Sequence, residues 1–296
     1  MPPILRKQKK RTLKRKAIFL HTTHVFADWN GLPLAADLYR AAANRKDTTV
    51  LYLHGGGLVY GTRDDLPQLY IDLFLEQGYD LISFDYPLAP ETKLPAIHDA
   101  VFAAFRWFLR EHESVLQLPS GRYFLFGRSA GAYLALLLAD RIRRKDLPPA
   151  AGILSFYGYP GFALPEFESP SPFYLKFPRA DAALVERMTG GGPVAYGPMV
   201  QRYAIYLYAR QTGNWLRLLT DAPEDIARYA LREDALHCLP PLFLTASTGD
   251  QDVPYRVSKQ LKKARPDAVL DVYKRQALCR PVSFCSSFSI NAFVWS

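Results

Sequence analysis

The sequence predicts an α/β fold, a doubly wound and mostly parallel sheet with a helical insertion. Two observations predict it. From Thr49 onward, short apolar runs alternate with longer amphipathic ones, the pattern of strands joined by crossover helices. The rhythm breaks once, over residues 161–237, in a stretch rich in aromatics, Pro and Gly. An interruption that long is more often a cap over a site than a bare loop.

Taken in order, residues 50–53 read as a buried strand that runs into His54-Gly55-Gly56-Gly57. Residues 66–77 read as a helix, with Leu66, Leu69, Tyr70, Leu73 and Phe74 at helical spacing and Gly78 as its stop. Strand 81–84 follows, and Asp85 opens a loop that reaches Glu91. A long helix is expected over about 94–115, a strand at 123–126 and a helix from Ser129 to about residue 144. Strands are expected at 153–157 and 242–245, with helical patches at 180–188 and 199–219 inside the interruption. In a sheet of this kind function gathers at the carboxyl ends of the strands.

With 296 residues, 49% hydrophobic and 22% charged, the chain can bury a large core without disulfide staples. Its apolar runs fall short of the ~18 residues that span a bilayer. The charge of +9 is concentrated at the ends: residues 1–16 carry eight basic residues and no acid, residues 271–296 carry +2, and 17–270 are left at −1. The body therefore does not look like a nucleic-acid partner, and 1–16 is expected to be a solvated, disordered leader or an over-extended start. The leader is not expected to be a signal peptide, because the apolar stretch after it stops at His21. Of three cysteines only Cys238 lies in the body, which implies no disulfide framework and fits a cytoplasmic location.

The strongest chemical signal is Gly127-Arg128-Ser129-Ala130-Gly131, a G-x-S-x-G with a strand before it and a helix after it. A serine on so tight a turn needs glycines two residues to either side so that the backbone can fold back on itself. The turn presents the Ser129 hydroxyl at a helix N-terminus, where developing negative charge is favoured. The His54-Gly55-Gly56-Gly57 loop directly after a strand is the second signal. Its N–H groups at Gly55 and Gly56, with that of Ala130, read as an oxyanion hole. No Lys-Ser/Thr pair follows, so it is not a Walker loop.

With these blocks in place, and Asp85-Tyr86-Pro87-Leu88-Ala89-Pro90-Glu91 between them, the chain resembles the hormone-sensitive-lipase-like esterase branch of the α/β-hydrolase family. The resemblance covers roughly 18–270 and implies the α/β-hydrolase fold. It also implies hydrolysis of small acyl esters through an acyl-serine intermediate, without metal or cofactor. By that resemblance Ser129 is the nucleophile, and the acid is Asp250, four residues before Pro254. Asp252 is the second candidate, its other reading being a cap for a helix beginning near Pro254.

The family's histidine should follow the acid, yet all six histidines (His21, His24, His54, His98, His112 and His237) precede Asp250. His237 is the one available stand-in, while His54 is expected to brace the glycine loop and His98 and His112 to pack or face solvent. Asp271-Val272-Tyr273-Lys274-Arg275-Gln276 is the peptide that GATGTGTATAAGAGACAG encodes, which resembles a transposon end used in sequencing adapters. Residues 271–296 are accordingly expected to be a non-native tail replacing the histidine loop, which would leave this chain an impaired esterase.

Two other functions are open to this sequence. One is a non-catalytic ligand-binding protein of the same fold. The other is an NAD(P)-dependent oxidoreductase, suggested only by the Tyr255/Lys259 pair and opposed by the absence of G-x-G-x-x-G. Oligomeric state is not legible.

Overall fold

The computed structural model describes residues 21–273. Its eight strands are β1 (His21–Trp29), β2 (Leu32–Tyr39), β3 (Thr48–Leu53), β4 (Leu81–Phe84), β5 (Arg122–Arg128), β6 (Gly152–Phe156), β7 (Leu242–Ser247) and β8 (Val269–Tyr273). They form one sheet in the order β1-β2-β4-β3-β5-β6-β7-β8. β3 to β8 are parallel, and β1 and β2 add an antiparallel edge beside β4.

That edge is not anticipated by the apolar pattern, because β1 reads His-Thr-Thr-His-Val-Phe-Ala-Asp-Trp and is largely exposed. The signal that marks it is Asn30-Gly31. Both residues have positive φ, 54° and 83°, and Trp29 pairs directly with Leu32 across them. A two-residue loop of this kind matches the twist of a β-hairpin.

Along the parallel strands, successive residues face opposite sides of the sheet. Val50, Tyr52, Phe124, Phe126, Leu154 and Phe243 pack on one side beneath α1 (Gln68–Glu76). Leu51, Leu53, Leu125, Ile153 and Leu244 pack on the other with α2 (Leu94–Glu111) and α3 (Ala130–Arg144). α2 stops at Glu111, short of the expected residue 115.

Between β6 and β7 lie α4 (Pro165–Glu168), a 3-10 turn (Tyr174–Lys176), α5 (Ala182–Thr189), α6 (Met199–Thr212), α7 (Trp215–Leu219), α8 (Glu224–Arg228) and α9 (Glu233–Leu236). The single helical patch expected over 199–219 is two helices, because Gly213 adopts a left-handed φ of 70° and ends α6.

The inserted helices are tied to the body by buried polar groups. Arg202 of α6 pairs with Glu91 (2.9 and 2.7 Å) and donates to the carbonyls of Val59 (2.7 Å) and Ala89 (2.9 Å). Trp215 Nε1 donates to the Gly57 carbonyl (3.0 Å).

After β7 come α10 (Tyr255–Ala264) and β8, whose residues Asp271 to Tyr273 pair with Thr245 to Ser247. The junction expected after residue 270 thus falls inside a strand of the sheet. The basic leader, and the rest of the expected tail from residue 274, lie outside the described residues. Among the described residues no helix is long and apolar enough to cross a membrane.

Candidate active site

At the end of β5 the chain turns sharply into α3, and Ser129 sits on the turn with φ 53° and ψ −119°. Left-handed φ is costly for a residue with a side chain, and here the packing around the turn enforces it. A Cβ on Gly127 would lie 2.2 Å from the Gly131 carbonyl, and one on Gly131 would lie 2.0 Å from the Leu53 carbonyl oxygen. Only glycine at both positions lets β3, β5 and α3 meet this closely. Ser129 N–H donates to the Phe156 carbonyl (2.8 Å), which anchors the turn to β6.

The loop after β3 approaches the same turn. A Cβ on Gly55 would lie 3.0 Å from the Arg128 carbonyl oxygen and 3.7 Å from Ser129 Cβ. Among the described residues no backbone carbonyl accepts from the N–H groups of Gly55, Gly56 or Ala130. His54 is fully buried, its Nδ1 2.8 Å from the Gly55 carbonyl oxygen and its ring stacked on Tyr86 at 4.1 Å. Burial lowers its pKa, favouring the neutral ring. The Tyr86 hydroxyl donates to the His54 carbonyl (2.8 Å), so the Asp85-to-Glu91 block holds the glycine loop from behind.

Asp250 lies beyond β7. Its Oδ1 accepts the N–H groups of Asp252 (2.8 Å) and Val253 (3.0 Å), while Oδ2 is buried without a hydrogen-bond partner. Burial raises its pKa to about 6, against the pull of the two N–H donors. Asp252 does not cap α10, contrary to its expected minor role. Its carboxylate accepts instead from Tyr174 (2.8 Å) and from Tyr206 of α6 (2.9 Å), and Arg210 Nε stands 4.0 Å away. The carboxylate is turned to the two tyrosine hydroxyls, 78 and 46 residues away in sequence, and α10 has no side-chain cap, its N-cap residue being Pro254.

These elements enclose a cleft of about 300 Å³ lined by Gly55, Gly56, Ser129 and Asp250, together with Asp65, Arg128, Tyr206 and Asp252. Of the residues singled out from sequence, Ser129, Asp250, Gly55 and Gly56 share it, and Ala130 is the first residue of α3 behind Ser129. Arg128 stands at an unspecified position of G-x-S-x-G, and Asp65 and Tyr206 belong to no motif, so nothing in the sequence marks these three as lining the cleft.

All six histidines lie among the described residues, and none lines the cleft. His237 is exposed at the end of α9, beside a separate groove lined by Leu236, Val257 and Leu261. His98 is buried against Tyr133 and Tyr229, where burial and Arg141 hold its pKa down to about 3. Tyr255 and Lys259 lie on α10 and do not line the cleft. No group of three or more His, Cys, Asp or Glu suited to a metal occurs among the described residues.

This geometry gathers a hydroxyl, a set of N–H donors and a buried carboxylate around one cleft. Comparisons with known proteins agree on the framework. The chain is 29% identical over 210 residues (66% of its length) to the non-reducing polyketide synthase ausA of Aspergillus calidoustus, of which the match spans 8%. It is 29% identical over 167 residues (56% of its length) to an ethyl acetate hydrolase of Pseudomonas putida, of which the match spans 43%. The chain thus covers less than half the length of either relative. The crystal structure of an alpha/beta hydrolase superfamily protein from Enterococcus faecalis superposes with a TM-score of 0.74 at 29% identity, covering 87% of this chain and 90% of that one. A family model described as alpha/beta hydrolase fold matches residues 50–276, so the chain belongs to the α/β-hydrolase family.

Proposed function

We propose that this chain is built as a serine carboxylic ester hydrolase for small acyl esters. The observation that carries the reading is that the cleft gathers three things: a serine held at positive φ on a helix N-terminus, a glycine loop with free N–H groups, and a buried carboxylate with one oxygen unpartnered. In this reading Ser129 Oγ adds to the ester carbonyl, and the oxyanion takes hydrogen bonds from Gly55, Gly56 and Ala130. The alcohol departs to leave an acyl-serine, which water then hydrolyses. Asp250 Oδ2 is the acceptor that would orient the ring of a base taking the serine proton.

No histidine of the chain lines the cleft, so turnover by the chain as it stands should be weak. Added imidazole supplies the missing group and gives the test. Hydrolysis of p-nitrophenyl acetate should rise about tenfold or more over the buffer reaction with imidazole present. Ser129→Ala should abolish that rise, along with fluorophosphonate labelling. Labelling that survives Ser129→Ala would overturn the nucleophile assignment. Full activity without imidazole that His237→Ala destroys would make His237 the base. The histidine-free cleft also favours a second reading, a ligand-binding protein of the same fold, in which neither form adds to the hydrolysis that imidazole gives in buffer.

A further inference from the structure

The charges lining the cleft are not held alike. Asp65 accepts the Tyr52 hydroxyl (2.9 Å), Asp252 accepts two tyrosine hydroxyls, and Asp250 accepts two backbone N–H groups. Each carboxylate therefore has at least one hydrogen-bond donor aimed at it, although Asp250 Oδ2 has none. The one cation of the lining, Arg128, has no such match. Its Nε is buried without a hydrogen-bond partner, and its one ion pair among the described residues is with Asp65, at 3.9 Å from Nη2. That separation is beyond hydrogen-bond reach. The side chain is 18% exposed and lines the cleft beside the serine that follows it in sequence.

A guanidinium stays charged, and it offers five N–H donors in a planar fork that a carboxylate can engage in bidentate fashion. Leaving such a donor buried and unpaired costs free energy that a ligand with the right acceptor recovers. We propose that Arg128 makes the cleft selective for esters that carry a carboxylate, with the anion docking on its terminal N–H groups while the ester carbonyl lies at Ser129. Two ligand types present this chemistry: a monoester of a dicarboxylic acid, with the anion on the acyl side, and an acylated hydroxy acid, with the anion on the alcohol side. Asp65 does not forestall docking, since it stands off the guanidinium and is engaged by Tyr52. A cleft of about 300 Å³ suits a ligand of this small size. The proposal rests on the ester reading for the group attached to the anion, but not for the binding of the anion itself.

The test uses the full chain carrying Ser129→Ala, so that no probe is turned over. Calorimetric titration compares monoethyl succinate with diethyl succinate, and acetoxyacetate with its ethyl ester. In at least one pair the anion should bind about tenfold more tightly than its neutral partner, as a charge-assisted bidentate contact permits. The pair that responds identifies the side of the ester bearing the charge. Arg128→Gln should bring that preference to within about twofold, and Arg128→Lys should keep part of it. Should Arg128→Gln fail to fold, Asp65→Asn gives the complementary readout. Removing the negative charge beside the docking position, which repels an incoming anion, should tighten anion binding several-fold. Equal binding of anion and neutral ester in both pairs overturns the proposal, as does a preference that survives Arg128→Gln or an Asp65→Asn variant that binds the anion no better. Because the readout is binding, a failure of the hydrolase reading leaves it intact, and hydrolysis without anion preference refutes this proposal alone.

Discussion

The turn that carries Ser129 and the loop that carries Asp250 face the same cleft but are held in place by different means. The turn is fixed by backbone crowding, with the β3, β5 and α3 backbones so close that a single methyl at residue 127 or 131 would overlap a carbonyl. The acid loop is fixed by side chains reaching in from the inserted helices, Tyr174 and Tyr206 onto Asp252, whose own N–H then holds Asp250. Crowding admits one residue type, whereas a hydrogen-bonded brace can be built from many. The first kind of site therefore leaves a motif in the sequence and the second does not.

The largest expected effect attacks the crowded half. Gly131→Ala places a methyl 2.0 Å from the Leu53 carbonyl oxygen and 2.4 Å from that of His54. It should destabilise the fold by about 4 kcal/mol or more, or prevent folding, as overpacking against immovable backbone does. A urea midpoint close to that of the unmodified chain would show that the turn has slack and remove the contrast.

The braced half should yield more gently and locally. Tyr174→Phe with Tyr206→Phe removes the hydroxyls that bind the Asp252 carboxylate, each bond to a charged group being worth about 1.5–3 kcal/mol. Amide hydrogen exchange should quicken across residues 248–253 and stay unchanged at 127–131. Equal acceleration at both sites would mean that the two halves are a single unit.

The smallest effect concerns charge. Burial holds the Asp250 pKa at about 6 against a usual 3.8, so between those values the folded chain binds more protons than the unfolded one. This carboxyl's contribution to stability is therefore greatest below about pH 4, falls as pH rises to about 6 and then levels off. Asp250→Asn should remove that decline and leave the variant more stable by about 1–2 kcal/mol at pH 8. Asp85, also raised to about 6 by burial, titrates in the same window, so a reduced slope persists in the variant. Thermal melts across pH 4–8 read the difference. A decline unchanged by Asp250→Asn would place its cause elsewhere.

The same contrast explains what could be read in advance. Buried parallel strands such as β3 and β4 are apolar on both sides and stood out as runs. Ser129, Gly55 and Gly56 stood out because close backbone approach requires glycine. β1 did not, since a solvent-facing edge strand need not be apolar; only the Asn30-Gly31 turn betrays it. Arg202 and Tyr206 were invisible for another reason. Each acts on a carbonyl or carboxylate more than 40 residues away, and no local spacing records a partner so distant. The break at Gly213 was open to reading, as a glycine inside a helical pattern is a natural stop.

Trp215 turns this architecture into an optical instrument. Its indole is 2% exposed, bonded through Nε1 to the Gly57 carbonyl, and packed edge-on against Phe167 (4.9 Å) and Tyr206 (5.7 Å). An indole so enclosed emits at short wavelength, and its emission shifts when water enters or the hydrogen bond lengthens. Gly57 and Tyr206 both line the cleft, while the other tryptophans among the described residues, Trp29 on β1 and Trp107 on α2, do not. The Trp215 share of the intrinsic fluorescence therefore reports on the joint between the inserted helices and the glycine loop. Occupancy of the cleft becomes visible through it, without a label and without turnover.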